Sequence, residues 1–473
     1  MLEQDLLTLI KRVQEYKAEF KNIEVKDANK GCPKKLYDTI SSFSNQNGGG
    51  TIVFGLSEEQ GFKITGVYDV ADLQKKVNEQ CKQMQPVVRP LFTVCTIDGK
   101  AIVSAEIPEI DATDKPCYYL GKGRLTGSYT RVGDSDEPMT EYEIYSYDAF
   151  RNKHQNDTRV IVQSKYEMLN QNALDDYIAR LKFKKPKVTD LSKDEICELM
   201  SITKDGIPTL AGIMMFCKYS QGYFPQLCVT AVVVPGYEVG ETGDFGERFI
   251  DNKRIDGTIP QMLEDAVRFV NKNMSVKTII DNKTAKRNDK PEYPIEAVRE
   301  AVLNALIHRD YSIHTEGIPV QILLFKDRLE IRNPGGLYGR IKLDQLGIAQ
   351  PDTRNPVIAT MMEDLGLTEN RYSGIPTIRK EMSLLGLMPP IFNDSRSDFC
   401  VKLMNAPIAN NAEKNLVSFC SVPRSRTEIS EYLGFVNNYY AMQQYIMPLL
   451  QEGKLEMTIP DKPRSKHQKF VVK

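Results

Sequence analysis

Glu300, Asn304 and His308 recur at four-residue spacing in the stretch EAVLNALIHRDY, and Asn333, Pro334, Gly335 and Gly336 follow a little further along. On a helix that spacing puts a carboxylate, an amide and an imidazole on one face. A glycine-rich turn lets a ligand come close to backbone. Acid, amide and turn together suit a metal-bound nucleotide.

Two elements must position these groups. Pro294 suits a first helical turn, and Ile295, Val298, Val302, Ala305 and Leu306 recur at helical spacing on the face opposite Glu300, Asn304 and His308. Residues 319–332 read as a hairpin, with a buried strand over 320–325, a tight turn at 326–328 and an alternating return strand over 329–332. That return strand runs directly into the glycine turn. Upstream, 210–217 and 228–234 read as buried strands, 259–273 as a helix, and Ser192 as part of a capped helix start.

Four ordered motifs over residues 286–405 (EAVLNALIHRDY, Asn333 to Gly336, Arg354 to Pro356, and Tyr372 to Ile375) resemble the GHKL ATPases, which include gyrase, histidine kinases and MutL. The similarity is to the divergent, RecG-labelled branch of bacterial transcriptional regulators. The resemblance implies ATP and Mg²⁺ as cofactors, with Asn304 as the Mg²⁺ ligand and Glu300 as the residue that polarises the attacking water. It also implies a nucleotide site built from Asn304, His308, Asn333, Gly335, Gly336, Ser373 and Gly374. Asn333 stands where better-known members have an adenine-reading Asp, and an amide carries no charge. There is no G-x-x-x-x-G-K-[ST] element, which excludes a P-loop ATPase. His308, Arg309 and Asp310 do not make a protein-kinase catalytic loop, because the position five beyond Asp310 is Thr315 rather than Asn.

The first 150 residues carry Glu19, Phe20 and Lys21, then Phe43, Asn45, Gly48 and Gly49, then Gly55, and later Tyr129, Arg131 and Gly133. This pattern is similar to the Schlafen-type, AlbA-like domain, and it implies nucleic-acid binding through residues such as Lys21, Lys34, Lys35 and Arg131. Residues 11–35 hold eight Lys/Arg against four acids, a mild local excess that can neutralise phosphates. Some Schlafen relatives cleave RNA with three carboxylates. Here Glu15 and Glu19 stand one residue closer than the usual spacing, and Ser57, beside Glu58, occupies the third acid's place.

The tail, 419–473, reads as a winged helix resembling those that close many regulators of this branch. It has a helix at 426–433, a second around Asn437 and Asn438, and a wing with Lys462, Arg464, Lys466 and Lys469. Polar linkers at 150–165 and 405–418 separate the parts. The expected architecture is a multidomain α/β (α+β) protein: an AlbA-like α/β domain over 1–150, an α/β segment over 166–285, a GHKL-type α/β sandwich over 286–405, and the winged helix.

Balanced charge, formally −1 over 473 residues, argues against nonspecific polyanion binding by the whole molecule, so any nucleic-acid contact is local. Nine cysteines without CxxC pairs and only four His point to a reducing cytoplasm and away from structural zinc. No basic-then-apolar leader and no run of eighteen apolar residues is present, so neither a signal peptide nor a membrane span is expected. The sequence favours a cytoplasmic, homodimeric, nucleotide-binding regulator of DNA or RNA. A slow ATPase, a Schlafen-like ribonuclease and an interaction scaffold with a degenerate nucleotide site stay open beside it.

Overall fold

The computed structural model describes all residues except 21, 281–286, 351, 369–372, 396, 407–411, 434–440, 461, 462, 464, 466, 467 and 473. The chain is a mixed α/β multidomain protein. It divides into two compact units, Met1–Asn152 with Leu416–Ile429 and Tyr439–Lys473, and Lys153–Asn415 with Ser430–Asn438.

In the first unit, α1 (Glu3–Tyr16), β1 (Ile23–Lys26), α2 (Tyr37–Asn45), β2 (Gly50–Phe54), α3 (Val70–Cys81), β3 (Leu91–Ile97) and β4 (Lys100–Ile107) come first. The strands form one sheet in the order β1-β2-β4-β3. The run Thr51 to Phe54 is buried on both sides, which matches a central strand. One face packs Leu6, Ile10 and Val13 of α1, and the other packs Ile40 and Phe43 of α2 with Leu73 and Val77 of α3. A hairpin of β5 (Tyr129–Val132) and β6 (Ser135–Pro138) then leads into α4 (Glu141–Arg151), whose Thr140 and Glu143 form a capping box.

The tail contributes α-helical turns at Ala412–Phe419, Arg426–Tyr432 and Met447–Gln451 and a three-stranded antiparallel sheet of Arg424–Ser425, Leu455–Met457 and Lys469–Val472.

The second unit holds α5 (Gln171–Lys184), α6 (Lys193–Leu199), α7 (Leu210–Phe216), β7 (Val229–Val233), β8 (Asp251–Ile255), α8 (Ile259–Asn273) and α9 (Ile295–His308). These are followed by β9 (Val320–Leu324), β10 (Arg328–Pro334), α10 (Pro356–Asp364), α11 (Gly374–Leu384), β11 (Ile391–Asp394) and β12 (Asp398–Met404). One six-stranded sheet runs β8-β7-β9-β10-β12-β11. β7 pairs parallel with β9, with Val229 beside Val320 and Val233 beside Leu324, so residues on both sides of position 286 share one sheet. Alternate residues of β7 and β9 face the helices, and Val229, Ala231, Ile322 and Leu324 join Val298, Val302 and Leu306 of α9 in the core.

The stretch 210–217 corrects a sequence expectation. It is a helix, not a strand. Leu210 to Phe216 is buried all round, so periodicity carries no signal, and Ala, Leu and Met all favour helix. Thr209 caps it by accepting from the Gly212 N–H at 3.0 Å. A side chain at Gly212 would lie 2.2 Å from the Ile202 carbonyl oxygen, so the helix needs glycine there to pack.

Asp157, fully buried, caps α10 from two hundred residues away, accepting from the Val357 and Ile358 N–H groups at 2.8 and 3.3 Å. Asp157→Ala leaves two amides, the Ile358 one buried, without their acceptor and is expected to cost about 1–2 kcal/mol. Thermal unfolding should show a drop of a few degrees for this unit, and an unchanged midpoint would contradict the capping role.

Candidate functional site

The helix α9 spans the stretch that the apolar spacing indicates. Its burial is wider than a single stripe: Ala297, Ala301, Leu303 and Ile307 are covered as well. The cause is neighbours on more than one side, since α9 lies against the sheet through β10 and is flanked by α8 and α11. The polar stripe therefore faces a cavity rather than open solvent.

That cavity, about 160 Å³, brings together Glu300, Asn304, His308, Asn333, Gly335, Gly336, Ser373 and Gly374. Eight residues chosen from separate motifs thus line one space. Its apolar lining comes from Leu303, Ile307, Ile378, Phe399 and Val401, with Leu337, Ile341, Leu346 and Ala349 from the segment after the glycine turn. Sequence reading missed this second apolar set, because a loop has no hydrophobic period to betray it.

The Asn304 amide nitrogen donates to the Glu300 carbonyl at 2.7 Å, one helical turn back. This fixes the side chain with its oxygen as the remaining acceptor, the chemistry a hard cation needs. The start of α11 comes close to both residues. A side chain built at Gly374 would lie 2.8 Å from Asn304 Nδ2 and 3.0 Å from Glu300 Oε2. Only glycine brings backbone so near. The Glu300 carboxylate is paired with Arg299 at 3.1 Å, and Arg299 also donates to the Leu367 carbonyl at 2.6 Å.

At the other end, Asn333 is almost fully buried, with its amide nitrogen 3.4 Å from the carbonyls of Pro334 and Gly335. Gly335 has φ +91° and lies over Arg354, whose guanidinium donates to the Gly336 carbonyl at 3.1 Å and stacks 5.0 Å from the Tyr338 ring. Next in sequence, Asn355 donates to the carbonyls of Ile307 and Arg309, both at 2.8 Å, closing the end of α9. Arg309, buried, donates to Thr315 and Ile318 carbonyls at 3.1 and 2.9 Å. These three residues brace the glycine turn and the end of α9, which line the cavity. Their types alone gave no sign of this, because polar residues usually lie at the surface.

Burial, with the nearby Arg354 charge, pushes the His308 imidazole down to about 4. It is therefore neutral at pH 7. A depressed folded pKa contributes stability that is complete above the ordinary histidine value of about 6.5 and is lost as pH falls through about 4. His308→Gln should flatten the decline in unfolding temperature between those limits. An equally steep decline in the variant would assign it to other groups.

In the first unit Lys34 and Lys35 are exposed just before α2, as a phosphate-contacting pair would be. Arg131 is not. It is 6 % exposed, with Glu24 at 2.8 Å, Asp136 at 2.9 Å and Glu19 at 3.8 Å, and the Phe43 ring 5.2 Å away. Three carboxylates already neutralise it, so it is a core ion-pair residue and not part of an open basic face. Burial, with the charges of Glu24 and Glu58 beside it, raises Glu19 to about 7, although the Val25 N–H donates to it. Glu15 is exposed on α1 and Ser57 is buried. Among the described residues no group of three or more His, Cys, Asp or Glu has metal-holding geometry. Lys469 is exposed on the last strand of the tail, whereas Lys21, Asn437, Asn438, Lys462, Arg464 and Lys466 lie outside the described residues. No described helix is long and apolar enough to cross a membrane, and all nine cysteines are free.

Known families match the chain in pieces. Residues 14–140 match the Schlafen, AlbA_2 family, and residues 317–403 match the family described as "Putative ATP-dependent DNA helicase recG C-terminal". The two matches fit an AlbA_2-like part and a RecG C-terminal, ATPase-like part of the chain. The second match includes Asn333, Gly335, Gly336, Ser373 and Gly374, and begins after Glu300, Asn304 and His308. Residues 414–472 match the C-terminal domain of Fic-like proteins (filamentation induced by cAMP), and 147–230 match a domain of unknown function. No curated protein matches the chain.

Among solved structures, the DIP2311 protein of Corynebacterium diphtheriae is 17% identical over 95% of this chain and 93% of its own, with a TM-score of 0.41. The N-terminal domain of a RecG-related protein of Nitrosomonas europaea is 27% identical over 30% of this chain and 94% of its own, with a TM-score of 0.24. At those scores neither carries an argument about fold.

Proposed function

We propose that the protein is an ATP-binding transcriptional regulator that engages nucleic acid, and that nucleotide occupancy controls dimerisation or this engagement. The reading rests chiefly on the cavity, where α9, the glycine turn and the start of α11 converge. The family matches support it: a RecG C-terminal, ATPase-type match that includes the glycine turn and an AlbA_2 match earlier in the sequence.

In this reading the apolar end takes the base, with Asn333 reading its edge, and the Gly374 end takes the phosphates. Asn304 would hold Mg²⁺ through its free amide oxygen. Bound there, the ion would screen phosphate charge. Glu300, the candidate for polarising water, is engaged by Arg299, so binding without rapid turnover is the expected behaviour. Leu337, Tyr338, Ile341, Leu346, Ala349 and Asp352 line the same cavity and belong to the part that occupancy would reposition. Nucleic acid would meet Lys34 and Lys35, and in the tail a winged helix whose wing includes Lys469.

Thermal-shift titration with ATP, ADP and GTP, each with Mg²⁺, tests the nucleotide half. A saturable rise with ATP is expected, and no rise with any nucleotide would remove the reading. Incubation with labelled tRNA tests the ribonuclease alternative. Cleavage that is lost in Glu19→Ala would put that enzyme in place of the regulator.

A further inference from the structure

The strand β3 (Leu91–Ile97) closes one side of the first unit's sheet, pairing only with β4 from Leu91 opposite Glu106 to Ile97 opposite Lys100. Among the described residues no backbone hydrogen bond reaches it from any other element. Its sequence, LFTVCTI, has no charge, proline or glycine, and Leu91 and Val94 are 68% and 37% exposed. Natural edge strands are usually guarded by lysine, proline, a bulge or short length, because an open ladder invites another strand. The opposite edge shows such guarding: β1 is only four residues long and carries Glu24 and Lys26.

We propose that β3 pairs antiparallel with β3 of a second copy of this chain, about a two-fold axis at Val94. The register follows from the sequence. Val94 meets Val94, Leu91 meets Ile97, Phe92 meets Thr96 and Thr93 meets Cys95, so every opposed pair is uncharged. Just beyond the pairing, Arg89 of one copy falls next to Asp98 of the other, and symmetry repeats that match at the far end. An uncharged strand offers nothing to a polyanion. The result is a continuous sheet of eight strands, four from each copy.

A pairing of this length belongs with small interfaces, so the dimer should dissociate on the order of micromolar. Sedimentation velocity across that range, run on the full chain without nucleotide, is the test. Wild type should pass from 53.7 kDa to twice that mass. Val94→Lys puts two ammonium groups at the axis and should sediment as monomer throughout, with an unchanged circular dichroism spectrum. Val94→Cys under mild oxidation should give a dimer whose 94–94 disulfide is found by peptide mass spectrometry. A wild type that stays monomeric, or a dimer that survives Val94→Lys without a 94–94 link in Val94→Cys, would overturn the assignment. Neither outcome bears on nucleotide binding.

Discussion

Gly335→Ala should remove any nucleotide-induced stabilisation and weaken the second unit by about 2–5 kcal/mol. Two costs combine. At φ +91° an L side chain is strained, by about 1–2 kcal/mol. The new methyl would also lie 2.0 Å from Arg354 Nη1 and 2.8 Å from Asp310 Cβ. Arg354 has little room to yield, since it is 5% exposed, bonded to the Gly336 carbonyl, set against Tyr338 and 3.9 Å from the Asp310 carboxylate. Overpacking of that kind costs about 1–3 kcal/mol. Relief would come by moving the glycine turn, and that turn lines the cavity. Gly366→Ala is the control: φ is +74° there, but nothing lies within 4 Å of the added methyl. Its loss should be about 1 kcal/mol, with nucleotide response kept. Equal losses in urea unfolding of the two variants would refute the packing argument.

The second large effect belongs to the first unit. Arg131→Ala leaves Glu19, Glu24 and Asp136 facing one another without their shared cation. Breaking a buried ion pair by removing one partner costs about 3–5 kcal/mol, because the remaining charge stays desolvated. Glu19, already raised to about 7, should rise further. A raised carboxyl pKa favours the folded state while protonated, so the variant should be least unstable at low pH and lose stability as pH climbs through 7. Equilibrium unfolding between pH 5 and 8 reads both effects. A small, pH-independent change would show that the cluster contributes little.

Much of the second unit was legible in its residues. The helices 259–273 and 295–308 and the strand 229–233 follow from apolar spacing and lie where expected. The candidate nucleotide residues share one cavity because one face of α9, the turn after β10 and the start of α11 converge there. Periodicity gave nothing at 210–216, where every side chain is buried. Arg131 reads as a surface cation from sequence, since a sequence shows that a charge exists and not that carboxylates distant in the chain surround it. Asp157, Arg354 and Asn355 went unassigned for the same reason: their partners are backbone groups brought near only by folding.

Asn304, the glycine turn and the start of α11 are proposed to enclose a metal-bound nucleotide. Isothermal titration of ATP into the full chain, with Mg²⁺ and then with EDTA, tests it most directly on wild type and Asn304→Ala. One site per chain is expected in wild type, at least tenfold weaker without Mg²⁺ (about 1.4 kcal/mol), with no such Mg²⁺ dependence in Asn304→Ala. Wild type that binds no nucleotide, or binds it equally well with EDTA and with alanine at 304, would contradict it.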